Sequence, residues 1–168
     1  MSIDNIQLPA FLKNALFKNK LISPRLSPST PKTNNEENSI EFLGGNLKNI
    51  AFVVNVQESK FVTDSQLNFL SGLVNACHVS LDDIAVVNIA GQKFISYLDL
   101  AKQLSSRKIL SFGVAPAELN LPFTIPFYQV QSFQETDYIF CPELNKLQDD
   151  TNAKKLLWAS LQKTFKIN

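Results

Sequence analysis

Histidine and cysteine are nearly missing from this chain, whose 168 residues hold one histidine, His78, and two cysteines, Cys77 and Cys141. The scarcity excludes a disulfide framework. Without CxxC spacing or paired histidines it also leaves no recognisable zinc site, so no metal is expected. Free cysteine is among the most buried residue types, and both thiols are expected in the core. Long apolar runs are missing too, and none approaches the roughly 18 residues that a membrane-spanning helix needs. The first residues lack the basic, apolar, small-residue order of a secretory leader, so a cytoplasmic protein is expected. Nor is there an excess of one charge, with 16 Lys+Arg against 15 Asp+Glu, and 11 against 12 in residues 40–168. A protein that neutralises several phosphates carries a basic stripe; strong direct nucleic-acid binding by residues 40–168 is therefore not expected. The basic pairs Arg107-Lys108 and Lys154-Lys155 read as helix-end or solvated-face residues. Neither G-x-G-x-x-G nor a P-loop occurs. Gly44-Gly45 precedes the first expected strand instead of following it, so no phosphate cradle is expected there and no cofactor is implied.

What is present divides near residue 40. Residues 23–39, SPRLSPSTPKTNNEENS, hold Pro24, Pro28 and Pro31 among Ser, Thr and Asn with almost nothing apolar. Such a segment cannot bury enough surface to offset its ordering entropy and reads as a linker. Ahead of it, in residues 1–22, Leu8, Phe11, Leu12, Ala15, Leu16 and Leu21 recur at helical spacing, with Pro9 acceptable in a first helical turn. A helix this short is marginal alone, because isolated helices below about 12–15 residues are unstable in water. It needs a surface, which could be its own domain, a partner's groove or a membrane face. Phe11, Leu12, Leu16, Phe17 and Leu21 are the candidate partner-binding residues.

From Ile40 to Asn168 strands and helices alternate. Ile50-Ala-Phe-Val-Val-Asn-Val56 is a continuous apolar run of the kind covered on both faces, and Thr63-Asp-Ser-Gln66 is a capping box opening a helix. Ile84 to Ile89 gives a second strand, residues 97–104 a second helix, and Ile109 to Gly113 a third strand. Phe127 to Val130 reads as a short edge strand or extended stretch, Tyr138 to Cys141 as the last core strand, and Thr151 to Phe165 as the closing helix. The expectation is a three-layer α/β/α sandwich with a mainly parallel sheet of four to five strands and right-handed crossovers. Trp158, on the closing helix, reads as core or sheet packing ahead of a partner anchor.

In such sheets ligands bind beyond the carboxyl ends of the strands, which directs attention to residues 56–60, 90–92, 114–116 and 141–144. Asn55, Gln57, Glu58, Cys141, Pro142 and Glu143 are the strand-end candidates. Glu58 and Glu143 could meet as an acid/base pair, but with no histidine nearby they read as two solvated loop carboxylates. His78, at the far end of the first helix, reads as a surface or cap residue. No catalytic residue is assigned.

The order of Ile50-AFVVNV-Gln57, Thr63-Asp64 and Val79-Ser-Leu-Asp-Asp-Ile84 resembles the psi subunit of the bacterial DNA polymerase III holoenzyme. Cys141-Pro-Glu-Leu-Asn-Lys-Leu147 followed by Thr151-Asn-Ala-Lys-Lys-Leu-Leu-Trp158 is similar to that family's small-residue-Pro-x-Leu turn and its closing helix with a Leu-Trp pair. The likeness spans roughly residues 47–165. It implies a uracil-DNA glycosylase-like fold, and Ile109-Leu-Ser-Phe-Gly-Val-Ala-Pro116 looks like the third strand of that superfamily. Active glycosylases of this kind carry a Gly-rich loop with a water-positioning Asp or Asn after the first strand, and usually a His before Pro after the last. Here the first loop reads Asn55-Val-Gln-Glu-Ser-Lys60, and Cys141 stands in the place of that histidine. The resemblance therefore implies a non-enzymatic adaptor in DNA replication, tethered by its N-terminal segment to the clamp-loader ATPase subunits. It also implies a chi-like subunit that contacts single-strand-binding protein. A diverged glycosylase acting on DNA bases, using Asn55, Gln57 or Glu58 to position water, is the alternative.

Overall fold

The computed structural model describes residues 39–167. The amphipathic segment with Phe11, Leu12, Leu16, Phe17 and Leu21, and the linker up to residue 38, lie outside the described residues. The described chain forms β1 (Ile50–Val54), α1 (Asp64–Ala76), β2 (Ile84–Asn88), α2 (Tyr97–Gln103) and β3 (Lys108–Phe112). It continues with β4 (Val130–Phe133), β5 (Thr136–Cys141), α3 (Leu144–Asp149) and α4 (Thr151–Phe165). These strands make one five-stranded sheet in the order β2-β1-β3-β5-β4. The pairs β1/β2, β1/β3 and β3/β5 are parallel, and β4 runs antiparallel to β5. The protein is thus an α/β sandwich with a mainly parallel sheet.

Alternation along the strands sorts side chains into two cores. Ile50, Phe52 and Val54 point to one face, where Leu70 and Val74 of α1, Leu144 and Leu147 of α3, and Leu157 and Leu161 of α4 cover them. Ala51, Val53, Ala85 and Val87 point to the other, under Leu100 of α2 and under Leu119, Leu121 and Ile125 of the Pro-rich segment. The opposite placement of α1 and α2 follows from the right-handed crossover rule once β2 and β3 flank β1 on opposite sides.

Local sequence explains the element ends. Thr63 caps α1, with Gln66 N donating to Thr63 Oγ1 at 3.4 Å and Thr63 N to Gln66 Oε1 at 3.0 Å. Ser96 and Asp99 make the same reciprocal pair at α2, and those hydrogen bonds, chiefly from the Ser96 hydroxyl, hold the Asp99 carboxyl below its ordinary value. Asp150 caps α4 through Asn152 N and Ala153 N. Gly44-Gly45 has a structural use at the β2 edge, where Leu43 pairs with Val86. A Cβ on Gly44, at φ +112°, would fall 2.2 Å from Ile84 O, and one on Gly45 2.5 Å from Asp82 O, so only glycine lets the chain lie this close.

Three expectations are corrected. The edge strand lies at Val130–Phe133 and not at residues 127–130; Phe127 and Tyr128 precede it in a turn, with Tyr128 at φ +64°. The first strand stops at Val54, because Val56 N turns to the side chain of Asn88 instead of a strand neighbour. Of the pair Arg107-Lys108, Arg107 is exposed just ahead of β3 as a solvated-face residue, but Lys108 is half-buried, opens β3 and is not at a helix end; its Nζ lies 4.0 Å from Asp137 on β5. Lys154 and Lys155 are exposed on α4 as expected. Among the described residues no helix is long and apolar enough to cross a membrane.

Candidate functional site

Because β2 and β3 lie on opposite sides of β1, the chain reverses its winding between β1 and β3. The crevice beyond the carboxyl ends of the strands at such a switch point is where open α/β sheets bind ligands. A cleft of about 180 Å³ lies there. Val54 and Phe112, the last residues of β1 and β3, form its apolar floor, and Asn55, Gln57, Glu58, Gln66, Glu143 and Asn145 supply polar walls.

One buried asparagine shapes the loop on the β1 side. Asn88, 2% exposed at the end of β2, accepts from Val56 N at 2.9 Å and from Ala90 N at 3.2 Å. Its Nδ2 lies 2.8, 3.0 and 3.1 Å from the carbonyls of Val56, Ser59 and Lys60. On the β3 side, Gly113 at φ +68° packs so tightly that a Cβ would meet Glu143 Cγ at 2.7 Å, and its N–H donates to Cys141 O at 3.0 Å. Across the back, Gln66 Nε2 donates to Asn145 Oδ1 at 3.0 Å and ties α1 to α3.

Four of the six strand-end candidates meet in this cleft: Asn55, Gln57, Glu58 and Glu143. Gln57 Nε2 donates to Asn55 Oδ1 at 3.2 Å. Cys141 and Pro142 are not brought to it. Cys141 is fully buried as the last residue of β5, and burial pushes its thiol far above the ordinary value. Glu58 and Glu143 are both exposed, and Glu143 pairs loosely with Lys146 at 3.6 Å. Among the described residues no lysine, arginine or histidine lines the cleft, so the chemistry they supply is that of amides and carboxylates, suited to hydrogen-bond donors and not to phosphate. A neighbouring cleft of about 350 Å³ shares Val56 and Gln57 and is spanned by the Lys60–Glu41 ion pair at 2.8 Å.

The remaining chemistry-bearing residues have structural places. Cys77 is buried at the end of α1, its thiol raised to about 11 by burial. His78 follows it at φ +57°, exposed, in the left-handed position that ends a helix. Trp158 is half-buried against the α1/α3/α4 core. Among the described residues no group of three or more His, Cys, Asp or Glu could hold a metal ion.

Asn88, Gln66 and Asn145 were not anticipated as site residues. Gln66 was legible only as half of a capping box, and Asn145 carried no signal. Asn88 offered one faint sign, a lone amide interrupting an apolar run at its carboxyl end. No known protein family matches this chain, and no curated protein matches it.

Proposed function

We propose that this protein is a non-enzymatic adaptor resembling the psi subunit of the DNA polymerase III clamp-loader complex. Its N-terminal segment would reach the loader ATPase subunits, and its α/β domain would be free to meet a second, chi-like subunit. The observation that carries the reading is the place of Cys141. Where active glycosylases of similar pattern carry a histidine, this chain has a fully buried thiol that does not line the strand-end cleft. Buried away from the cleft, that thiol cannot reach a leaving base to stabilise its developing negative charge, a contribution often worth a few kcal/mol. Glu58 and Glu143 are both exposed to solvent, so neither offers a dry nucleophile site.

The test is calorimetric titration of the reconstituted loader ATPase complex with the full chain and with its Phe11→Ala/Leu16→Ala variant. Micromolar or tighter binding, lost or weakened at least about tenfold in the variant, is expected. Absence of binding by the full chain would sink the adaptor reading.

One observation favours a second reading, a diverged glycosylase-like enzyme: Asn55, Gln57 and Glu58 gather in a cleft at the sheet's switch point. Base release from uracil-containing DNA that disappears in an Asn55→Ala/Glu58→Ala variant would establish it in place of the adaptor.

A further inference from the structure

On the face of the molecule built by α1 and α4, these two helices leave a groove of about 370 Å³ between them. Its walls are Phe69, Leu73 and Ala76 from α1 and Trp158 from α4, with Lys154 at the rim. The lysine is held in place, since its Nζ lies 5.9 Å from the centre of the Phe69 ring, within the range of a cation–π contact. Lys155, three residues before Trp158, and Lys154, four before it, flank the indole on the helix surface. From Thr151 to Phe165 the helix α4 contains Lys154, Lys155 and Lys163 and no carboxylate; α1 contains one, Asp64, in its first turn. Among the described residues lining the groove the charged one is Lys154, with Lys155 beside it on the helix, so this stretch of the rim is positively charged.

Gly72 is the second observation. Glycine in mid-helix weakens the helix relative to alanine, and a conserved shape or a close neighbour ordinarily explains its use. Among the described residues there is no such neighbour, because a Cβ at Gly72 would meet nothing within 4 Å. The missing side chain opens the groove floor to another backbone.

We propose that the α1–α4 groove is a docking site for an acidic amphipathic helix of a partner protein. The partner's apolar stripe would lie over Gly72 and against Trp158, and its carboxylates would face Lys154 and Lys155. Helix-in-groove recognition of this kind reads anchors at i, i+3, i+4 and i+7, and tryptophan is enriched among the residues that dominate such contacts. The occupant is assigned by charge: a basic helix would meet like charge along α4. This inference stands apart from the adaptor reading, since it draws only on the groove.

Trp158 is the chain's one tryptophan, so its emission reports on the groove alone. The probe is an 18-residue tryptophan-free peptide with leucines at helical spacing and glutamates elsewhere, titrated into the full chain. The control replaces its glutamates by lysines. Saturable, salt-weakened change of Trp158 emission by the acidic peptide is expected, with the basic peptide at least about tenfold weaker. Lys154→Glu/Lys155→Glu should reverse that preference. Gly72→Gln should weaken the acidic peptide about tenfold while leaving the circular dichroism spectrum unchanged, which separates blocking from misfolding. No response to the acidic peptide, an equal response to both peptides, or an unchanged preference in the charge-reversed variant would overturn the proposal. A Trp158 response to vesicles of anionic phospholipid without one to the acidic peptide would also overturn it, assigning the face to a lipid surface.

Discussion

A loop leaving a parallel sheet at its carboxyl end carries backbone groups with no strand partner, and in residues 55–60 a single side chain satisfies several of them. Asn88 accepts from Val56 N and donates among three carbonyls, at sequence separations of 28 to 32 residues. Replacing it with alanine leaves an N–H and carbonyls of this part-buried loop without their protein partner, each costing about 1–3 kcal/mol where water does not reach it. Asn88→Ala is therefore expected to lower stability by about 2–4 kcal/mol in urea unfolding. Asn55→Ala, at an exposed position on the same loop, should change it by less than about 0.5 kcal/mol. Equal effects would mean that the loop is held by its rim and not from beneath. This arrangement was not legible in the sequence because an amide bridging two strand ends has no period; its partners are fixed only when β1 and β2 align with Ile50 beside Ile84. The candidates Asn55, Gln57, Glu58 and Glu143 were legible, since strand ends follow directly from apolar runs. Of the two readings of Cys141, core thiol and strand-end candidate, the first holds: it shares a core with Val54 and Phe112 but is fully buried and does not line the cleft.

Elements buried on both sides announce themselves, and elements at an edge do not. The strands β1, β2, β3 and β5 are nearly continuous apolar runs because helices or packed loops cover both faces. In contrast, β4 is four residues long with Gln131 and Ser132 exposed, which leaves little pattern to read. Its turn is also disguised. Phe133 pairs with Thr136, so Gln134 and Glu135 form a two-residue hairpin loop, at φ +48° and +63°. Positive φ at both central positions is the mark of a type I′ turn, which favours Asn-Gly; nothing in Gln-Glu signals it. Non-glycine residues in this region cost roughly 1–2 kcal/mol each. Gln134→Asn with Glu135→Gly is accordingly expected to stabilise the protein by about 1–2 kcal/mol and to raise the thermal midpoint by several degrees. The same pair placed at Asn145-Lys146, inside α3, should destabilise. A thermal midpoint unchanged or lowered by the hairpin pair would show that the turn's backbone is held without strain.

At the scale of the molecule, strand count was legible and strand order was not, because order depends on which face each crossover covers. Once α1 covers one face and α2 the other, β1 lies between β2 and β3, the switch point falls between β1 and β3, and the strand-end cleft follows from topology. The same arrangement sets different depths for the two thiols. Cys141 ends an interior strand beneath α3 and α4, fully buried, while Cys77 lies at the C-terminal end of α1, 6% exposed, with Asn75, Ala76 and His78 exposed around it. Thiol–disulfide exchange needs the thiolate, and burial has raised both thiols, Cys77 to about 11 and Cys141 further. Neither should react with an aromatic disulfide reagent at pH 8 in the native state. Under mild denaturant the two should separate: Cys77 becomes reactive through local opening of the α1 terminus, with a shallow denaturant dependence. Cys141 should react only through global unfolding, with the steep dependence of the whole domain. Labelling of the single variants Cys77→Ala and Cys141→Ala resolves the two rates. If Cys77 instead shares the steep dependence of Cys141, the end of α1 opens only when both core layers do, and the groove between α1 and α4 rests on the most stable part of the fold.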